Sequence, residues 1–255
     1  MKRFQSVLLA CLCAGLAHAA GVPQTSKTPA KAASSSALPA AASASIPMLP
    51  LPELDVQLRY YSKVLTAEGV QREARYEEKL LRRTEGNVQH LWQTRVLPAN
   101  TQAKADKDEH AHLHFNPVLL ARHLVLENGK LRLEYVNPAQ KEVVAIPSTE
   151  YDNVNFDGSW SHAAYLADPK AVQALPLLKR DAPAGAEWRE RNTNGQFLRV
   201  LWDKQKQIAL IVEQGDLAGT VFHRLEAIPA ATLASARPWQ QTRGFAQKEY
   251  ADYLD

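Results

Sequence analysis

The sequence predicts an α+β fold: an antiparallel sheet of about seven or eight strands with helices on one face. Two observations predict it. Short stretches of period-two apolar alternation recur from Val70 to Ile228, separated by turns rich in Gly, Asn and Pro. Between and around them lie a few short segments with helical spacing and cap residues. No internal repeat of fixed period is present.

Met1 to Ala19 reads as a secretory signal peptide. Lys2 and Arg3 form a positive start, Val7 to Leu16 is an apolar run of ten residues, and Ala17-His18-Ala19 offers a cleavage site near Ala19. That run is about half the ~20 residues needed to cross a bilayer, so no transmembrane span is expected in the mature chain. The expected location is the periplasm or the exterior. Cys11 and Cys13 are the only cysteines, and both leave with the signal. Disulfides, thiol nucleophiles and cysteine-bound metals are thereby excluded from the mature chain.

Residues 20–52 form an Ala/Ser/Pro-rich linker; positions 21–52 hold 8 Ala, 6 Ser and 6 Pro. Such a composition buries too little apolar surface to offset chain entropy, and disorder is expected. Residues 53–255 are then one α+β domain. Lys2, Arg3, Lys27 and Lys31 all precede the first acid, Glu53, leaving the domain 26 basic against 27 acidic residues. The basic pI comes from the N-terminus, and nucleic acid is not an expected partner.

Within the domain, Leu54, Leu58, Tyr61 and Leu65 recur at helical spacing, which predicts a helix from Pro52 to about Ala67. Val70 to Arg83 alternates and predicts a strand, returning after Glu85-Gly86-Asn87 as Val88 to Leu97. Pro98 to Glu109 reads as a polar loop. Asn116-Pro117 resembles a helix start, so Val118 to Leu126 is expected to be helical. Leu131 to Tyr135 and Val143 to Ile146 form a second hairpin. Ser159 to Leu166 and Asp168 to Leu178 are short helices. Four strands follow: Trp188 to Asn192, Phe197 to Trp202, Ile208 to Val212 and Thr220 to Ile228. Phe245 to Leu254 is expected to close the chain as a helix.

The segment from Arg191 through Ile228 reads RNTNGQFLRVLWDKQKQIALIVEQGDLAGTVFHRLEAI. Leu201-Trp202-Asp203 ends one strand, Lys204 to Gln207 turns, and Ile208 to Val212 recovers the apolar face. Asp216 to Gly219 turns again, and Arg224 lies on the strand that follows. This pattern resembles the closing strands of the Lol-type periplasmic lipoprotein-carrier superfamily, which includes the RseB-like anti-sigma-factor regulators. The resemblance covers about 40 residues, and the segment from Glu109 to Leu178 does not align with it. It implies a curved, half-barrel-like sheet with helices plugging its concave face. It also implies a protein that holds an acyl chain or apolar peptide between the two.

Such a site needs an apolar face larger than its helices can fill. Tyr76, Leu80, Trp92, Leu133, Tyr135, Leu198, Val200, Trp202, Leu210 and Phe222 are the residues that would line it; a filled core would use the same positions. A second chemistry is offered by His110-Ala111-His112-Leu113-His114. His110, His112 and His114 fall on one face if extended, and Asp108 and Glu109 could add oxygen ligands. Zn²⁺ or Cu²⁺ is the cofactor that set suits. Asp157, Ser159 and His162 contain the residue types of a hydrolase triad, but their adjacency reads as a turn and helix cap.

Three functions are thus in view. The first is a non-catalytic envelope protein binding a lipid, an apolar peptide or an envelope protein. The others are a periplasmic metal-binding or metal-delivery protein and an envelope hydrolase.

Overall fold

The computed structural model describes residues 51–98 and 115–253. Eleven strands form one open sheet. They are β1 (Leu54–Leu65), β2 (Gln71–Glu85), β3 (Val88–Arg95), β4 (Ala121–Glu127), β5 (Lys130–Asn137), β6 (Glu142–Ile146), β7 (Ala186–Thr193), β8 (Gln196–Asp203), β9 (Ile208–Asp216), β10 (Val221–Pro229) and β11 (Ala246–Glu249). Their order across the sheet is β11-β6-β5-β4-β3-β2-β1-β10-β9-β8-β7. Each neighbouring pair is antiparallel except β11 with β6, which is parallel. Among the described residues, helical structure is limited to α1 (Trp160–Tyr165), α2 (Pro169–Gln173) and three 3-10 turns, Ser148–Val154, Pro238–Thr242 and Tyr250–Tyr253. The cap reading is met: Ser159 accepts from the His162 amide, and Asp168 accepts from that of Ala171.

The sheet is larger than seven or eight strands because three segments expected to be helical are extended. The first is β1. Leu54, Val56 and Leu58 are buried while Asp55 and Gln57 are half-exposed, a period of two. Pairing with β2 and β10 on either side outweighs the helical spacing of Leu54, Leu58, Tyr61 and Leu65. The second is β4. Asn116 forms a local turn, its side chain accepting from the Val118 amide at 3.1 Å, and the chain then extends between β3 and β5. The third is the tail, where β11 pairs with β6 before the 3-10 turn Tyr250–Tyr253.

One face of the sheet, the inner face, carries the main core. Leu58, Leu80, Leu91, Leu124, Leu133 and Val200 on strands pack with Val154, Phe156, Ala164, Val172 and Leu175 from the segment that holds α1 and α2. A smaller core of Trp92, Ala121, Val136, Val143 and Trp239 lies on the outer face. Three strand spacings, about 14 Å, separate β2 from β9 along the sheet. Yet the Arg82 side chain on β2 donates to the carbonyls of Lys206 and Gln207 in the β8–β9 turn. No side chain spans that distance over a flat sheet, so the sheet curls around its inner face.

Candidate functional site

Register decides which residues share the inner face. In β1 they are the even positions, and pairing carries the parity outward: Tyr60 lies opposite Tyr76 on β2 and Leu225 on β10, and Ser62 opposite His223. Beyond β10, Leu225 meets Val212 and His223 meets Gln214 on β9; Val212 and Gln214 then face Val200 and Leu198 on β8.

The helical segment covers only part of this face. Under it Leu58, Leu80, Leu133, Tyr135, Val200 and Trp202 are buried. Among the described residues the cover ends toward the β1–β2 and β9–β10 turns, and Tyr60, Val64, Tyr76, Leu198, Val212, Val221 and His223 are only half-buried. A continuous strip of apolar and aromatic side chains is therefore left partly open on the inside of a curled sheet.

Of the ten residues the sequence nominates, Tyr76 and Leu198 lie in this open strip. Leu80, Leu133, Tyr135, Val200 and Trp202 lie on the inner face beneath the helical cover. Leu210 is half-buried against the same core. Two need correction. Trp92 points outward, because it pairs with Leu81 and His123, and it belongs to the outer core. Phe222 also points outward, between Tyr61 and Phe197, since its neighbours Val221 and His223 hold the inner parity.

Polar residues are built into the inner face as well. Tyr60 stacks on Tyr76 at 4.4 Å between ring centroids, and the Arg95 guanidinium lies 3.5 Å over the Tyr76 ring. Arg95 Nε is 3.5 Å from the Glu78 carboxylate. Gln93 donates to Glu78 and accepts from Arg122. Burial, with the Glu78 charge second, pushes the Tyr76 phenol up to about 12 and raises Tyr60 well above its ordinary range. Both phenols stay protonated at neutral pH; Tyr60 donates to the Glu78 carboxylate and Tyr76 accepts from Arg95. Among the described residues His223 Nδ1 has no hydrogen-bond partner and is sealed from solvent, and burial lowers the imidazole pKa. The ring lies on the inner parity, opposite Ser62.

The sequence reading missed this polar set. Glu78 and Arg82 sit on the parity of Tyr76 and Leu80, and charged residues on a dry parity were the available signal. Arg122 was hidden by the helical reading of its segment. Arg82 is 1% exposed and has no acidic partner among the described residues; it donates to the carbonyls of Pro52, Ala164, Lys206 and Gln207.

His110, His112 and His114 lie outside the described residues. Among the described residues, no group of three or more His, Asp or Glu is arranged to hold a metal ion. His123 is on β4, facing outward. Ser159 Oγ accepts from the His162 amide at 3.1 Å, and His162 Nδ1 pairs with Asp157, so this trio serves as a helix cap. Among the described residues, no helix is long and apolar enough to cross a membrane.

No protein-family model matches the chain, and no curated protein matches it. Solved structures show a weak likeness. The MucA/MucB complex of Pseudomonas aeruginosa matches with TM-score 0.35 and 11% identity over 74% of this chain and 54% of that one. MucB in complex with MucA(peri) matches with TM-score 0.34 and 13% identity over 74% and 53%. A DUF1329 family protein from Desulfovibrio piger matches with TM-score 0.28 and 11% identity over 72% and 89%. The chain spans about half the length of the two MucB chains it matches.

Proposed function

We propose that this chain is an exported, non-catalytic binding protein of the cell envelope that holds an apolar ligand, an acyl chain or apolar peptide, against the inner face of its sheet. The observation that carries the reading is the incomplete cover of that face. Tyr60, Tyr76, Leu198 and Val212 are held half-buried by a rigid sheet, continuous with the core yet open to solvent. Uncovered apolar surface of this kind is a cost in a free protein and a gain when a ligand covers it. Export is supported by the leader pattern of Met1 to Ala19.

Native mass spectrometry of untagged protein taken from the envelope tests this. A lipid-sized adduct is expected on the wild-type chain and on Phe222→Asp, whose site faces outward. It is expected to be lost from Leu198→Asp. A bare wild-type mass, or equal loss from both variants, would overturn the reading.

A further inference from the structure

The outer face carries a feature that ligand binding does not use. After β10 the chain crosses this face as a strap, residues 230–245, before β11 joins the sheet beside β6 and Tyr250 enters the inner-face core. Its central contact is Trp239, which lies flat on His90 of β3 at 4.5 Å between centroids and 4° between planes. It is also nearly parallel to His123 of β4, at 5.7 Å and 8°. His90 and His123 are 9% and 5% exposed.

The two imidazoles and one carboxylate form a chain. His90 Nδ1 is 3.1 Å from His123 Nε2, and His123 Nδ1 is 3.2 Å from Glu134 Oε2. With Glu134 ionised, the network assigns the protons. His123 Nδ1–H donates to Glu134, His90 Nδ1–H donates to His123 Nε2, and His90 Nε2 carries none. Each ring is then neutral. A proton added to His90 Nε2 would place a cation beneath the indole with little water.

The charges around the pair do not neutralise that cation. Glu85 on β2 is 3.9 Å from His90 Nε2, but it is engaged by Arg237 at 3.2 Å and by Gln240 at 3.2 Å, both from the strap. Arg83 on β2 lies opposite His90 in the register, and Arg132 on β5 adds a positive charge. Glu134 is already used by His123. The strap is also imperfectly seated: Trp239 Nε1 is sealed from solvent without a hydrogen-bond partner among the described residues, which offsets part of the gain from its stacking.

We propose that residues 230–245 are an acid-released cover: taking up a proton at His90 lifts Trp239 and exposes the apolar patch of Trp92, Ala121, Val136 and Val143. Opening lets His90 hydrate and take its proton at an ordinary imidazole affinity, so acid draws the equilibrium toward the open strap. Burial and the neighbouring His123 lower His90 to about 4 from 6.5 when the strap is closed. Between pH 7.5 and pH 5 that difference multiplies strap opening by about 30-fold.

Hydrogen exchange on the full chain at pH 7.5 and pH 5 reads this directly, after correction for the intrinsic pH dependence of exchange. Amides of residues 230–245 are expected to exchange about 30-fold faster at pH 5, while those of β1 and β2 change little. The acceleration is expected to vanish in His90→Gln. Equal protection at both pH values, the same acceleration in His90→Gln, or equal acceleration across the whole sheet would overturn the proposal. If His90→Gln does not fold, NMR titration of the wild-type ring decides. A His90 that stays neutral to well below pH 6 while Trp239 remains stacked supports the cover; one that titrates near 6.5 with the strap still closed overturns it.

Discussion

Replacing Arg82 by Met is expected to destabilise the fold by about 3–5 kcal/mol. The guanidinium is 1% exposed and donates to four backbone carbonyls, those of Pro52 at 2.9 Å, Ala164 at 2.7 Å, Gln207 at 3.1 Å and Lys206. These carbonyls come from the entry to β1, the end of α1 and the β8–β9 turn. One side chain thus ties the helical cover and the far part of the curled sheet to β2. Burial already pushes the guanidinium down to about 10, so it is charged at neutral pH and its desolvation is a real cost. Methionine removes that cost and fills similar volume. It also leaves up to four carbonyls unmet, at about 1–3 kcal/mol each where water cannot reach them. With some rehydration and the recovered desolvation set against that loss, the net falls in the stated range. Urea unfolding followed by far-UV circular dichroism measures it as a lower midpoint at unchanged slope. Arg75→Met is the control, since that side chain is 75% exposed and only a weak effect is expected. A change below about 1 kcal/mol for Arg82→Met would refute the view that these bonds hold the curl.

Other outcomes follow from the same structure. Global stability is expected to fall as pH drops from 6.5 toward 4, because the unfolded chain protonates His90 first; the gap to about 4 corresponds to about 3 kcal/mol, complete above pH 6.5, and urea midpoints across that window measure it. Glu134 acts in the same direction: burial opposes its ionisation, but the His123 hydrogen bond holds its pKa below the usual value, so its contribution is also lost in acid. Gly215→Ala is expected to cost about 1–3 kcal/mol, because the added Cβ would sit 2.3 Å from the Val221 carbonyl oxygen and 3.2 Å from the Phe197 ring, and thermal unfolding reads the loss. Leu58→Ala, at a fully buried inner-face position, is expected to cost about 2–5 kcal/mol in the same assay.

The strands from Gln71 to Arg95, the hairpin from Lys130 to Ile146 and the four strands from Ala186 to Pro229 were legible because alternation and turn residues agreed there. β1 was not, because its apolar residues satisfy both periods and only its two partners choose between them. β4 was masked by Asn116-Pro117, whose turn stops short of a helix. The inward parity of Tyr76 and Leu198 could be read from alternation, but the outward turn of Trp92 and Phe222 could not. On β3, Gln89, His90, Leu91 and Trp92 are all buried, since the strap covers the outer face and removes the wet parity. On β10, apolar residues occur on both parities, and the pairing of His223 with Ser62 settles which turn inward. The His90–His123–Glu134 chain joins three strands and left no local signal at all.

Photo-crosslinking with a diazirine-bearing fatty acid, followed by peptide mapping, tests the central claim most directly. Ligand held on the inner face predicts saturable labelling of Tyr60, Tyr76, Leu198 or Val212, displaced by unlabelled fatty acid. Labelling confined to outer-face residues such as Tyr61 and Phe222, or labelling that does not saturate, would contradict it.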